Sequence, residues 1–157
     1  MNKRYYIAYG SNLNVSQMSH RCPTAKIVGT SVIEDYRLLF KGSKTGSYLT
    51  IEPFKGGKVP VVVWSVEPSD ERRLDIYEGY PDFYYKTEMQ LDITGIRTGK
   101  SRIRTAFAYI MHEERKLGIP SMMYWQICCE GYDRFHFDIQ YLIDAYNVST
   151  PEDEYER

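Results

Sequence analysis

Long apolar runs are missing from this chain, and no stretch approaches the length needed to cross a bilayer. The N-terminus lacks the charged-then-apolar order of a secretion signal. Cysteine is scarce: of the three, Cys128 and Cys129 are adjacent and Cys22 is distant. That pattern makes no disulfide framework, and a reducing cytoplasm is the expected setting. An excess of one charge is missing too. Lys and Arg number 20 against 21 Asp and Glu, the net charge is −1, and the basic residues are dispersed. Electrostatic adhesion to nucleic acid or to an anionic membrane is therefore not expected. Tyrosine, by contrast, is abundant at 15 of 157 residues. It packs like an aromatic but keeps a hydroxyl, so some tyrosines are expected to line a cleft that binds something polar.

The length suits one domain, placed at residues 1–148, followed by a polar, acidic tail over 149–157 that is expected to be loose. Along the chain, Tyr5 to Tyr9 reads as a strand, and Asn14 or Ser16 starts a short helix to about His20. Lys26 to Phe40 reads as two strand segments broken near Glu34-Asp35, and Tyr48 to Glu52 as another strand. Lys55-Gly56-Gly57-Lys58 reads as a hairpin turn before the apolar strand Val59 to Val66. Ser69 is the expected cap of a helix from Asp70 to Glu78, stopped by Gly79 and Pro81. Phe83 to Ile93 alternates, with Phe83, Tyr85, Thr87, Met89, Leu91 and Ile93 on one face. A strand over Thr105 to Met111 follows, then a helix from Pro120-Ser121 that ends at Gly131, and a last helix from Asp138 to Tyr146. Six or so strands with three or four helices, not in strict alternation, predict an α+β fold. Its expected centre is a small, mostly antiparallel β-barrel or curled sheet flanked by helices.

Two features carry chemistry. Tyr9-Gly10-Ser11-Asn12-Leu13 follows the first strand directly. Gly10 tolerates backbone angles that other residues resist, and Ser11 and Asn12 favour turns. Such a strand end can aim several N–H groups one way and cradle an anion or oxyanion. Spacing alone does not separate that cradle from an ordinary turn. The second feature is Glu78, four residues after Leu74 and so on the inward stripe marked by Leu74 and Tyr77, with Glu71, Arg72 and Asp75 on the outer, solvated side. Burial and the negative helix end both push such a carboxyl group's pKa upward, toward that of a general base. The same residue could also reach water past a frayed helix end.

Other constellations carry less. Cys22 beside His20 is not a hydrogen-bonded pair by sequence, and a Cys-Pro loop reads as packing. Cys128 and Cys129 read as helix-interface material. Consecutive His112, Glu113 and Glu114 rarely converge on one metal ion, so a solvated loop is the better account. Basic residues between Arg97 and Arg104 have acidic neighbours and read as a solvated hairpin, not an RNA contact.

Tyr9-Gly10-Ser11-Asn12-Leu13 together with Leu74-Asp75-x-x-Glu78-Gly79 and Tyr84-x-Lys86 resembles the γ-glutamylcyclotransferase-like family, which includes γ-glutamylamine cyclotransferases and AIG2-like proteins. Arg21-Cys22-Pro23, the Tyr36-to-Phe40 strand, Ala108-Tyr109 and Pro120-Ser121-x-x-Tyr124 agree in family order. The resemblance implies a small barrel, with the turn Gly10 to Leu13 holding a γ-glutamyl group and Glu78 as catalytic base. Tyr9, Tyr84, Tyr109 and Tyr124 match positions beside that cleft, and Lys86 stands where many relatives carry arginine. The implied reaction is attack of a γ-glutamyl α-amine on its own γ-carbonyl, giving 5-oxoproline and a freed amine or amino acid. The nucleophile belongs to the substrate, so no cofactor and no metal is expected. The expected partner is that small molecule alone, with the chain a monomer or a homodimer. A non-catalytic binding module of the same fold, or an enzyme for another γ-glutamyl or amide substrate, stays open. The rim that meets the leaving half is expected around His112 to Ile119 and Tyr132 to Phe137. The test of the whole reading is whether Glu78 and the Gly10-to-Leu13 amides face one cavity.

Overall fold

A computed structural model describes residues 3–43 and 45–150. Five strands close into a barrel in the order β1-β3-β2-β4-β5. They are β1 (Arg4–Ala8), β2 (Lys26–Lys41), β3 (Tyr48–Val66), β4 (Tyr84–Gly95) and β5 (Ser101–Met111). Neighbours run antiparallel except β1 and β5, which meet in parallel at Tyr6 and Phe107. A 3-10 turn at Ser11–Leu13 and four helices flank the barrel: α1 (Val15–Arg21), α2 (Pro68–Tyr77), α3 (Met122–Arg134) and α4 (Gln140–Ser149). None is long and apolar enough to cross a membrane. The architecture is the α+β barrel that the sequence predicts.

The apolar segment Val59 to Val66 takes the central position that its composition implies, paired with β1 on one side and β2 on the other. Several boundaries differ from expectation. Lys55 to Lys58 is no hairpin turn; β3 runs through it. Asp35 sits at φ 61 and Gly56 at φ 83, the register shifts between Glu34 and Tyr36, and Asp35 Oδ1 accepts the Gly56 N–H at 2.9 Å. A β-carbon on Gly57 would lie 2.3 Å from the Tyr36 carbonyl oxygen. The glycines therefore serve a bulge that bends two long paired strands together, and the break near Asp35 is that bulge seen from β2.

Helix α2 begins earlier than Ser69. Glu67 is its N-cap and Pro68 its first residue, the position where proline's missing N–H costs nothing. Asp70 reaches back to accept the Glu67 N–H at 3.0 Å. Helix α3 passes through Gly131 instead of ending there. That residue is a contact glycine: a β-carbon would meet Leu13 Cβ at 2.8 Å and Asn14 N at 3.0 Å, so only glycine lets α3 lie against the 3-10 turn. The last helix is capped by Ile139, one residue later than expected, and Asp138 stands just outside it with its Oδ1 accepting the Gln140 N–H at 2.9 Å. That helix runs past Tyr146 to Ser149, which is fully buried, its Oγ accepting the Phe40 N–H at 2.9 Å. The expected loose segment thus loses Ser149, and 151–157 lie outside the described residues.

The barrel closes across a narrow seam, Gly29 opposite Gly95 and Thr30 opposite Thr94. A β-carbon on Gly29 would sit 2.1 Å from the Thr94 carbonyl oxygen. Backbone cannot yield as a side-chain tip can, so Gly29→Val is expected to cost about 2–3 kcal/mol through forced separation of β2 and β4. Urea unfolding measures it; a midpoint equal to that of the unsubstituted protein would contradict the seam.

Candidate active site

At one end of the barrel a cavity of about 150 Å³ lies between the 3-10 turn, the C-terminal end of α2 and the first turn of α3. Gly10, Ser11 and Asn12 form one wall and Glu78 faces them from another, with Tyr9, Tyr84, Tyr109 and Tyr124 between. The predicted juxtaposition is present, with one exception. Leu13 is set back: its side chain is fully buried against α3 and its N–H bonds the Gly10 carbonyl at 3.1 Å. Among the described residues the amides of Gly10, Ser11 and Asn12 donate to no protein group, so they remain for a ligand.

Asn12 braces this turn. Its side-chain amide donates to the Tyr6 hydroxyl at 2.9 Å, its Oδ1 accepts from Arg21, and its carbonyl accepts Trp64 Nε1 at 3.1 Å. Gly10 is closely packed: a β-carbon there would stand 3.1 Å from the Tyr124 hydroxyl, which would have to shift by a few tenths of an ångström, and 3.4 Å from Leu49 Cβ. The phenols are committed elsewhere. Tyr9 donates to the Tyr109 carbonyl, Tyr84 to the Leu49 carbonyl at 2.8 Å, and Tyr124 accepts the Leu49 N–H at 3.1 Å. Burial raises the pKa of all three hydroxyls, so they stay neutral and act as walls and dipoles.

Glu78 is the C-cap of α2, its N–H held by the Leu74 carbonyl at 2.8 Å. Burial of its carboxyl group pushes the pKa up to about 8, against the opposing pull of the Arg21 guanidinium. The cation lies 3.6 Å over the Tyr77 ring and also holds Gln17 at 2.9 Å. Glu71 and Asp75, expected on a solvated face, are instead turned to the barrel and paired with Lys86 at 2.7 and 2.9 Å. The pairing draws them inward: Lys86, projecting from β4, reaches both carboxylates.

Sequence reasoning missed Tyr6, Tyr48, Leu49 and Phe83 as cavity walls. Tyr48 is 45% exposed and Tyr77 44%, so together they form the mouth. Of the predicted rim, the part after β5 does meet the mouth: the His112 N–H bonds the Phe83 carbonyl at 3.2 Å, and the Arg115 guanidinium lies 4.4 Å from the Phe83 ring centre. None of the rim residues lines the cavity itself, and Tyr132 is fully buried. Thiol chemistry finds no support, since Cys22 Sγ is buried beside the Asp70 carbonyl at 3.6 Å and its pKa is pushed up to about 12 by burial. His112 Nε2 lies 2.7 Å from the Pro81 carbonyl and Glu113 accepts from Tyr85, so these neighbours diverge.

Residues 6–126 match the family described as Gamma-glutamyl cyclotransferase, AIG2-like. The chain belongs to that family. It is 30% identical over 133 residues to the γ-glutamylcyclotransferases of Bos taurus and Homo sapiens, covering 80% of this chain and 68% of each relative. A solved structure named Gamma-glutamyl cyclotransferase superposes with a TM-score of 0.78 at 26% identity, over 97% of this chain and 90% of that one. The barrel described above is thus the family's fold, and every residue lining the cavity, from Tyr6 to Tyr124, falls within the matched span.

Proposed function

We propose that this chain is a cyclotransferase that converts a γ-glutamyl compound to 5-oxoproline and releases the amine or amino acid it carried. The observation that carries the reading is Glu78 facing three undonated amides across one small cavity. The reaction forms a bond between the substrate's α-nitrogen and its γ-carbon and breaks the γ-amide bond. The enzyme's first task is to fold the substrate so that these atoms meet, an effect that supplies up to about 7–11 kcal/mol when alignment is complete. A cavity of about 150 Å³ suits a γ-glutamyl group held in a bend and leaves the departing portion at the mouth, beside Tyr48, Tyr77 and Phe83.

Glu78 takes a proton from the α-ammonium, which frees the lone pair that attacks, and a proton is delivered to the leaving nitrogen as the γ-amide bond breaks. The second proton lost as the ammonium becomes the lactam N–H passes to solvent. The raised pKa of Glu78 narrows the gap to the substrate's α-ammonium, so the transfer is less uphill than to an ordinary carboxylate. The amides of Gly10 to Asn12 serve either the α-carboxylate or the carbonyl oxygen as it gains charge. Tyr9, Tyr84, Tyr109 and Tyr124 shape the walls and keep water out. No cofactor enters the scheme. Cytoplasmic residence accords with three reduced cysteines.

The test is incubation with a panel of γ-glutamyl amino acids, γ-glutamylamines and γ-glutamyl peptides, with 5-oxoproline followed by mass spectrometry. Release of 5-oxoproline supports the reading; binding without turnover across the panel replaces it with a ligand-binding module. For a substrate that turns over, kcat/KM should climb with pH through about 8, because the free enzyme must first ionise Glu78. A profile flat between pH 6 and about 9 would count against the base assignment.

A further inference from the structure

Helix α2 carries Glu71, Asp75 and Glu78 at i, i+4 and i+7, one side of the helix. Apolar packing does little to hold that helix in place. Leu74 is its only buried apolar residue, and Ile76 is 82% exposed. Its N-terminal end is tied by Asp70, whose Oδ2 accepts from Thr24 at 2.6 Å. Its middle is tied chiefly by one cation, the only one that reaches both of its carboxylates among the described residues. Lys86 Nζ, projecting from β4, stands 2.7 Å from Glu71 Oε2 and 2.9 Å from Asp75 Oδ1. Arg4 of β1 adds a contact to Glu71 at 3.4 Å, and Asp75 Oδ1 also accepts the Tyr109 hydroxyl at 2.6 Å. These side chains are mostly covered, with Lys86 at 18% exposure and Glu71 at 14%, so the pairs are screened less than surface pairs.

We propose that Lys86 is a positioning residue: by gripping Glu71 and Asp75 together it clamps α2 to the barrel and fixes where Glu78 stands. The consequence for catalysis rests on the reading of Glu78 as the base. Lys86 does not line the cavity. Its leverage is geometric. From Asp70 to Glu78 the helix spans about 12 Å, at about 1.5 Å per residue. A pivot of about 5° about the tied end moves the carboxylate by about 1 Å, and a misplacement of that size costs up to about 100-fold in rate. The same grip fixes Tyr109, because Asp75 holds its hydroxyl and Tyr9 holds its carbonyl.

Lys86→Met should therefore lower kcat by about 10- to 100-fold while KM moves less than about twofold, since the amides of the 3-10 turn are untouched. Lys86→Arg, which can bridge both carboxylates, should stay within about threefold of the unsubstituted enzyme. Lys86→Gln keeps a donor without the charge and should give the same split if the methionine variant does not fold. Amide hydrogen exchange supplies a readout that needs no activity: the Glu78 N–H, bonded to Leu74, should lose about tenfold in protection in Lys86→Met and regain it in Lys86→Arg. Unchanged exchange, an unchanged kcat, a KM change that matches the kcat change, or failure of arginine to restore either quantity overturns the clamp. If the unsubstituted chain turns over no γ-glutamyl compound yet the exchange response is seen, the catalytic reading falls and the clamp stands.

Discussion

Glu78→Gln is expected to lower kcat/KM for a γ-glutamyl substrate by about 10²- to 10⁴-fold, the range that a positioned general base supplies. Glutamine keeps the shape of the side chain and removes only the site that takes a proton. The cavity walls, the free amides and the folded pose of the substrate all survive. KM should consequently change little, and the loss should fall on kcat. The residual rate should also lose the pH dependence assigned to this group. Steady-state kinetics on purified protein with 5-oxoproline detection gives both values. Activity within about threefold of the parent would remove Glu78 from the mechanism, because no other described carboxylate lines the cavity.

The second large effect concerns the fold and runs in the opposite sense. The Glu78 carboxyl group has a folded-state pKa of about 8 against a reference of 4.5, because burial disfavours its charge. Between those values the unfolded chain releases a proton that the folded chain keeps. Stability is therefore highest below the reference pKa and falls as pH rises through this window, levelling off above about 8. One pKa unit corresponds to about 1.4 kcal/mol, so ionised Glu78 strains the fold by at most about 5 kcal/mol, less whatever cavity water screens. Glutamine has no such charge. The Glu78→Gln variant should match the parent in urea at about pH 5 and exceed its stability by about 1–4 kcal/mol at about pH 9. A difference that stays constant across that range would mean the carboxylate is solvated after all. The loss of activity and the gain of stability in one substitution are the signature of a group held in place against its own preference.

Much of this was legible in the residues because local rules and tertiary placement agree there. Val59 to Val66 is apolar on both faces and lands at the centre of the sheet. Glu78 sits on the stripe of Leu74 and Tyr77, and while Leu74 goes into the core, Tyr77 and Glu78 do line the cavity. Glycine misled in both directions. Gly56-Gly57 reads as a turn by every local rule, yet the partner strand turns it into a bulge, which only pairing can decide. Gly131 reads as a helix stop, yet it is small because Leu13 needs the space. Glu71 and Asp75 read as solvent-facing because they are charged, although Glu71, three residues before Leu74 and four before Asp75, shares the inward side by spacing. The β4 lysine that recruits them is invisible until the strand is laid beneath the helix. Walls such as Tyr48 and Phe83 come from chain positions that no spacing connects. They meet at a T-shaped contact, ring centres 6.4 Å apart, because β3 and the α2–β4 loop end on the same side of the barrel.

The cavity is assembled from two parts that are anchored independently. Turn and α3 form one block, keyed by Gly131 under Leu13, and α2 forms the other, held to β4 by Lys86. Between them the described contacts near the opening are modest: Ser11 Oγ lies 3.4 Å from the Tyr77 hydroxyl, and Arg21 rests on the Tyr77 ring. A guest that bonds the amides of one block and the carboxylate of the other acts as a rivet across a seam, so occupancy stiffens the halves against each other as well as filling space.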